Sequence, residues 1–257
     1  MKNFGDLIGA FMQSGMAPSA NERVGHALEG LQQGGAGGSG ESPGGGLLGG
    51  LLGAVQSGLS GAANNPAAAG GLGALAGALL GGGGDSVKGA LGGGALAMLA
   101  GVAMKALMNG GQSGGAAGAF SGGSVPLGLK APESPDEEQV LEHTASLILR
   151  GMMNAAKADG EIDQQEMQRI VGKLKEAGMD AEGQAWVLGE LSKPLDLDAL
   201  VADIPSQEAA AEVYAASLLA VEVDTPEERE YLRQLAERTS LNQAVVQYIH
   251  QTMGVAG

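Results

Sequence analysis

The sequence predicts an all-α protein: a compact C-terminal helical bundle preceded by a flexible Gly/Ala-rich half with one or two apolar helices. Three observations lead there. Of the 47 glycines, 39 precede residue 131. From residue 131 onward, apolar residues recur at three- and four-residue intervals between helix-start and helix-stop signals. No stretch alternates apolar and polar residues with period two, as a half-buried strand does. The boundary therefore falls at residue 130. Residues 1–130 form a low-complexity region, and 131–257 have the length of one compact domain.

The charge divides at the same point. Up to Lys130 there are five basic and five acidic residues; beyond it, nine basic and 24 acidic residues account for the whole net charge of −15. Phosphate binding needs clustered Lys and Arg, so nucleic acid is excluded as a partner. The absence of cysteine removes disulfides and thiolate metal sites, and three scattered histidines do not make an imidazole zinc site.

In chain order, the first segment "MKNFGDLIGAFMQ" places Phe4, Leu7, Ile8, Phe11 and Met12 on one helical stripe. Asp6 interrupts what would be the apolar core of a signal peptide, so a short helix packed on its own protein is expected. Residues 13–45 are small and polar and read as flexible. Residues 42–84 carry no charge, and Gly46/Gly50 and Gly73/Gly77/Gly81 repeat at four-residue spacing. That spacing gives one helix face a flat groove, which in lipid lets helices approach closely and self-associate. The segment Ala90 to Asn109 repeats the pattern with Gly93, Ala97 and Gly101, and Lys105 stands near its end. These two segments, about 46–84 and 87–109, are near the length of a membrane span and are read as membrane-associated, with Lys105 reaching the interface. The alternative is a low-complexity linker.

The acidic half reads as six or seven helices. Ser134 caps the first, Pro135 takes its first position, and Asp136, Glu137 and Glu138 suit its positive end. Val140, Leu141, Thr144, Ile148, Met152 and Ala155 give it helical periodicity, and it should stop near Gly160. A helix from Gln164 to Ala177 follows, with Met167, Ile170, Val171 and Leu174 inward. "AEGQAWVLGEL" is the next, with Trp186 as core anchor. "KPLDLDALVADIP" is a turn and a short helix ended by Pro205. A longer helix in "SQEAAAEVYAASLLAVEV" leads to "DTPEEREYLRQLAERTS", where Thr225 and Glu228 form a capping box. "NQAVVQYIHQTMG" closes the chain.

One stretch draws attention as chemistry, "AKADGEIDQQE" from Ala156 to Glu166. With Gly160 at the sixth position of a calcium loop, Asp159, Ile162, Asp163 and Glu166 take the fifth, eighth, ninth and twelfth. Ala155 and Lys157 then stand where the first two oxygen ligands belong. Tight calcium binding by this loop alone is not expected. The same residues serve as punctuation: Gly160 as a left-handed helix stop, Asp163 and Glu166 as a capping box, Ile162 as its staple. "EIDQQEMQRIVGKL" also lies on "EVDTPEEREYLRQL", pairing Asp163 with Asp224 and Glu166 with Glu227. This alignment hints at a duplication, although any two capped amphipathic helices look alike.

The motifs "AAKADGEIDQQE", "KPLDLDALV" and "LLAVEVDTPEEREYL" together resemble the YebE-like inner-membrane proteins, a family of unknown function. The C-terminal domain of that family is similar to TerB, of the tellurite-resistance group. The resemblance covers roughly Glu133 to Met253. It implies a TerB-like helical domain tethered to a membrane-associated N-terminal region. It further implies a divalent cation, calcium or magnesium, at the acidic positions Asp159, Glu161, Asp163 and Glu166, with Asp224 and Glu227 as second-motif candidates. The long Gly/Ala-rich half departs from the compact family members, which leaves the number of membrane passes open.

The functional expectation is a non-enzymatic envelope protein at the bacterial inner membrane. Its acidic domain faces the cytoplasm as an interaction or sensing module for a protein partner. The alternative is a soluble partner-binding protein with a disordered, self-associating N-terminal arm. An enzyme finds no support: no set of nucleophile, base and orienting group can be named.

Overall fold

The computed structural model describes residues 8, 19–33, 90–110, 134–160, 167, 168, 170, 172, 175 and 181–255. Among these the protein is all-helical. Eight helices follow in order: α1 (Ala20–Gln33), α2 (Ala90–Asn109), α3 (Pro135–Ala156), α4 (Ala181–Leu191), α5 (Leu197–Asp203), α6 (Gln207–Ala220), α7 (Pro226–Arg238) and α8 (Gln243–Thr252). The expected helix from Gln164 to Ala177 lies largely outside the described residues. Met167, Gln168, Ile170, Gly172 and Lys175 within it are helical, and Ile170 is buried.

The starts follow the cap chemistry. Ser134 Oγ accepts the Glu137 amide at 3.2 Å, Asp196 Oδ1 that of Ala199 at 2.9 Å, and Ser206 Oγ that of Ala209 at 3.2 Å. Before α7 the full capping box forms. Thr225 Oγ1 accepts the Glu228 amide at 3.1 Å, and Glu228 Oε2 accepts the Thr225 amide at 3.3 Å. Each such cap satisfies amides that the first turn leaves without an intrahelical partner.

Helix α6 is the centre. Every residue from Ala209 to Ala220 is buried. A helix buried on every side is surrounded by others: α3, α2, α7, α1 and α8 all pack on it, α3 and α2 most extensively. The α3–α6 crossing is close because α3 presents Gly151. A Cβ there would stand 2.6 Å from Val213 Cγ1 and 3.0 Å from Ser217 Oγ. Tyr231 of α7 ties in the same place, its hydroxyl donating to the Gly151 carbonyl at 3.1 Å. Gly151→Ala is expected to destabilise the protein by about 1–2 kcal/mol, because overpacking outweighs the gain in helix propensity. Gly189→Ala on α4, where a Cβ meets nothing within 4 Å, is the control and should be neutral or stabilising. Denaturant midpoints of the two variants decide this; a neutral Gly151→Ala would show that the crossing has slack.

Helix α2 changes the reading of the N-terminal half. Leu96, Leu99, Val102, Ala103, Ala106 and Leu107 are all buried in the same core as α3, α6, α7 and α8. The four-residue groove around Gly101 is filled by Leu31 of α1, whose methyls lie 3.4 and 3.5 Å from where a Cβ would be. Lys105 does not reach toward an interface. Its Nζ donates to the Gly30 carbonyl at 2.5 Å, in the last turn of α1, where a cation meets the negative helix end. Among the described residues no helix is long and apolar enough to cross a membrane. The other apolar segment, 46–84, lies outside them. Of the N-terminal stripe only Ile8 is described, and it is buried in this core.

Helix α1 is held by a polar clamp. Arg23 is 6% exposed. Its Nη1 donates to the carbonyls of Leu218 and Val221, and its Nη2 donates to that of Glu222 at 3.0 Å. The guanidinium thus caps the C-terminal end of α6. The Ser19 amide adds a bond to Glu222 Oε1 at 2.9 Å. The turn it grips is strained: Val223 is held at φ 61°, a region that β-branched residues rarely adopt. Arg229 Nη1 fixes it from the other side by donating to the Val223 carbonyl at 3.0 Å.

Candidate functional site

The acidic turn follows directly from the end of α3. The helix stops at Ala156 with Lys157 as its C-cap, earlier than Gly160. The Ala158 amide then bonds Ala155 O at 3.0 Å and that of Gly160 bonds Lys157 O at 3.2 Å. Gly160 has φ 158°, close to extended backbone, so it is not the left-handed stop expected of it. Tight turns end the helix instead.

Asp159 is exposed, as are Asp224 and Glu227. Glu161, Asp163 and Glu166 lie outside the described residues. Near Asp224 the backbone does the work: its amide donates to Glu228 Oε2 at 3.1 Å, within the α7 cap. Among the described residues no three His, Asp or Glu side chains are grouped to hold a metal.

Lys157, which blocks a ligand position in the calcium-loop register, has a different role. It is 9% exposed, and its Nζ donates to the carbonyls of Lys193 at 3.0 Å and Glu190 at 3.3 Å. It therefore binds the C-terminal end of α4 to the end of α3. Burial lowers its pKa; Glu190 opposes that shift and Lys193 adds to it.

Lys157 also lines a cleft of about 680 Å³ between α3, α4, α5 and the 192–196 turn. From α3 come Glu142, His143, Ser146, Arg150, Met153 and Asn154. From α4 come Trp186 and Glu190, and from the turn Lys193, Pro194 and Asp196. That volume suits a small molecule or a few residues of peptide. Arg150 Nη1 pairs with Asp203 Oδ2 at 2.6 Å on the rim, and His143 Nε2 lies 3.4 Å from the Asp203 carbonyl. Asn154 Nδ2 contacts the Asp196 carbonyl at 3.4 Å, and Lys193 pairs with Glu190. The Ser146 hydroxyl donates to the His143 carbonyl at 2.7 Å. The groups are positioned mainly by backbone carbonyls, an arrangement suited to recognising a ligand.

Sequence reasoning did not assemble this cleft. Trp186, the expected core anchor, is partly buried and packs against the core, and it also lines the cleft. Val140, at the start of the helical periodicity of α3, is 48% exposed. The signal that could have found the cleft is a polar stripe on α3: Gln139, Glu142/His143, Ser146, Arg150, Asn154 and Lys157 recur at three- and four-residue spacing.

A second polar cluster lies under α1. The Tyr214 hydroxyl is 2.8 Å from His250 Nε2, and the rings stack with centroids 5.9 Å apart. Burial, and then the charge of Arg23, lower the His250 pKa, which keeps the ring neutral. Burial raises that of Tyr214, so its hydroxyl keeps its proton beside the neutral imidazole.

A family model described as "Protein of unknown function (DUF533)" matches residues 61–253, and the chain belongs to that family. A relative from Yersinia enterocolitica, described as an uncharacterized protein in the ampR 5′ region, is 29% identical over 120 residues, covering 47% of this chain and 86% of the relative. No solved structure matches the chain.

Proposed function

We propose that this DUF533 protein is a non-enzymatic interaction module whose ligand site is the cleft between α3, α4 and α5. One observation carries the reading: a preformed cleft of about 680 Å³ brings Trp186 and Met153 together with Arg150, Lys157 and Lys193. Those are three of the nine basic residues in a half-chain with 24 acidic ones. Aromatic and Arg side chains over a partly apolar floor are what binding energy concentrates on. The YebE-like and TerB-like character of the bundle rests on the three sequence motifs and fits the all-helical architecture. No cation is needed by this reading.

Envelope attachment belongs to the same proposal. Because α2 is packed in the protein core, attachment falls to residues 46–84. The soluble alternative gains from the same observation, since one of its two apolar segments is already covered.

One experiment in cells addresses both. A photo-cross-linking residue placed at Lys193, at the cleft, should yield a discrete adduct. The same residue at Arg233, on the exposed face of α7, should not. The cross-linked chain should sediment with membranes and lose that property when 46–84 are deleted. Equal adducts at both positions, or none at either, remove the cleft as the interaction site. A chain that stays in the supernatant of a high-speed spin removes the membrane attachment.

A further inference from the structure

Three nitrogen bases stand in a row along the cleft. His143 and Arg150 on α3 and Lys157 at its C-cap recur at seven-residue intervals, and all three line it. Seven helical residues make about two turns, a separation of about 10.5 Å. Two of the three have donor capacity beyond their bonds to the described residues. Lys157, nine-tenths buried, uses two of its three N–H donors on the Glu190 and Lys193 carbonyls. Arg150 offers five donors and is joined to Asp203 through one nitrogen. Among the described residues, no acceptor fills the remaining positions. A buried charge with an unfilled donor is costly until an acceptor completes it.

The surroundings restrict what that acceptor belongs to. Trp186, Met153 and Pro194 offer apolar surface to a chain lying along the cleft. With Asp203 on the rim, four carboxylates, Glu142, Glu190, Asp196 and Asp203, face Arg150, Lys157 and Lys193, so the three cations are concentrated here on an otherwise acidic half, and Asp203 holds Arg150 through one nitrogen only.

On the reading that the cleft is the interaction site, we propose that it binds an extended acidic peptide segment of a partner protein. The peptide's carboxylates complete the donors of Arg150 and Lys157. In the polyproline II conformation every third side chain falls on the same face, about 9 Å apart. That repeat matches the spacing along α3 within side-chain reach. Aromatic-lined clefts are the usual receivers of such segments.

The test uses the full chain, whose single tryptophan is Trp186, so intrinsic fluorescence reports from the cleft itself. The probe is a nonapeptide with glutamate at every third position and proline or serine elsewhere; a glutamine version is the comparison. The glutamate peptide should change the Trp186 emission saturably. The glutamine peptide should bind roughly tenfold or more weakly, as expected for loss of charge-assisted hydrogen bonds. Lys157→Met should weaken the glutamate peptide about tenfold and leave the glutamine peptide unchanged. Because Lys157 also ties α3 to α4, Arg150→Met is the second variant and should act in the same direction. Equal affinity for both peptides overturns the acidic requirement and leaves the cleft as a binding site. No response to either peptide, with cross-linking from Lys193 retained, overturns this ligand alone. Emission that changes with protein concentration by itself assigns the cleft to a second copy of the chain and also overturns the proposal.

Discussion

Glu212→Gln is expected to stabilise the protein at pH 9 by on the order of 4 kcal/mol and to leave it nearly unchanged near pH 4.5. Glu212 lies on α6 and is 6% exposed. Burial first, and then the charge of Glu208 one turn earlier, push its carboxyl up to about 8 from an ordinary value of 4.5. The folded protein therefore keeps a proton that the unfolded chain releases. Stability must fall as pH rises between these two values, and the full penalty is present above the upper one. Glutamine has a similar shape and no charge to desolvate, so the slope should vanish.

His250 contributes with the opposite sign. Its pKa is lowered in the folded state, so its contribution is present above its ordinary pKa and is lost as pH falls. The wild-type protein should be most stable at mildly acidic pH, and Glu212→Gln should remove only the alkaline side of that maximum. Denaturant midpoints from pH 4.5 to 9 measure this directly. Parallel profiles for the two proteins would mean that Glu212 is not the group responsible.

Arg23→Met should cost on the order of 3 kcal/mol and release α1 from the bundle. The substitution leaves the carbonyls of Leu218, Val221 and Glu222 without the donor they share. It also removes the cation at the C-terminal end of α6. Arg23→Lys should not rescue it, since an ammonium lacks the planar fork that spans several carbonyls. Hydrogen exchange should show α1 opening while α6 stays protected. A readout apart from stability is the imidazole of His250, which should titrate higher once the positive charge of Arg23 is gone. An unmoved titration would place Arg23 away from that ring.

Local features were the legible part of the fold. Ser134, Thr225 and Glu228 act within four residues of themselves, so their capping roles can be read from spacing alone. The helices α3 to α8 announced themselves by periodicity for the same reason. What covers a helix face is a different matter. The apolar, glycine-spaced residues of α2 look alike whether lipid or protein surrounds them. Only the packing of α6 and α8 on α2 shows which of the two it is. The Arg23 clamp joins residues 195 or more positions apart, beyond any local pattern. Glu212 sits among alanines and reads as a solvated position until α6 is seen to be enclosed. The cleft falls between these cases. Its stripe on α3 is visible in the sequence, but the approach of Trp186, Lys193 and Asp196 is not.

The position of α2 in the core also sets an order of events during synthesis. Its partners α6 and α8 lie about a hundred or more residues further along the chain. At roughly 5–20 residues per second, translation leaves α2 waiting about 5–20 s before α6 leaves the ribosome. Throughout that interval an uncharged face of leucine, methionine and alanine has no native surface to meet. The yield of folded protein should therefore depend on how fast its last fifty residues are made.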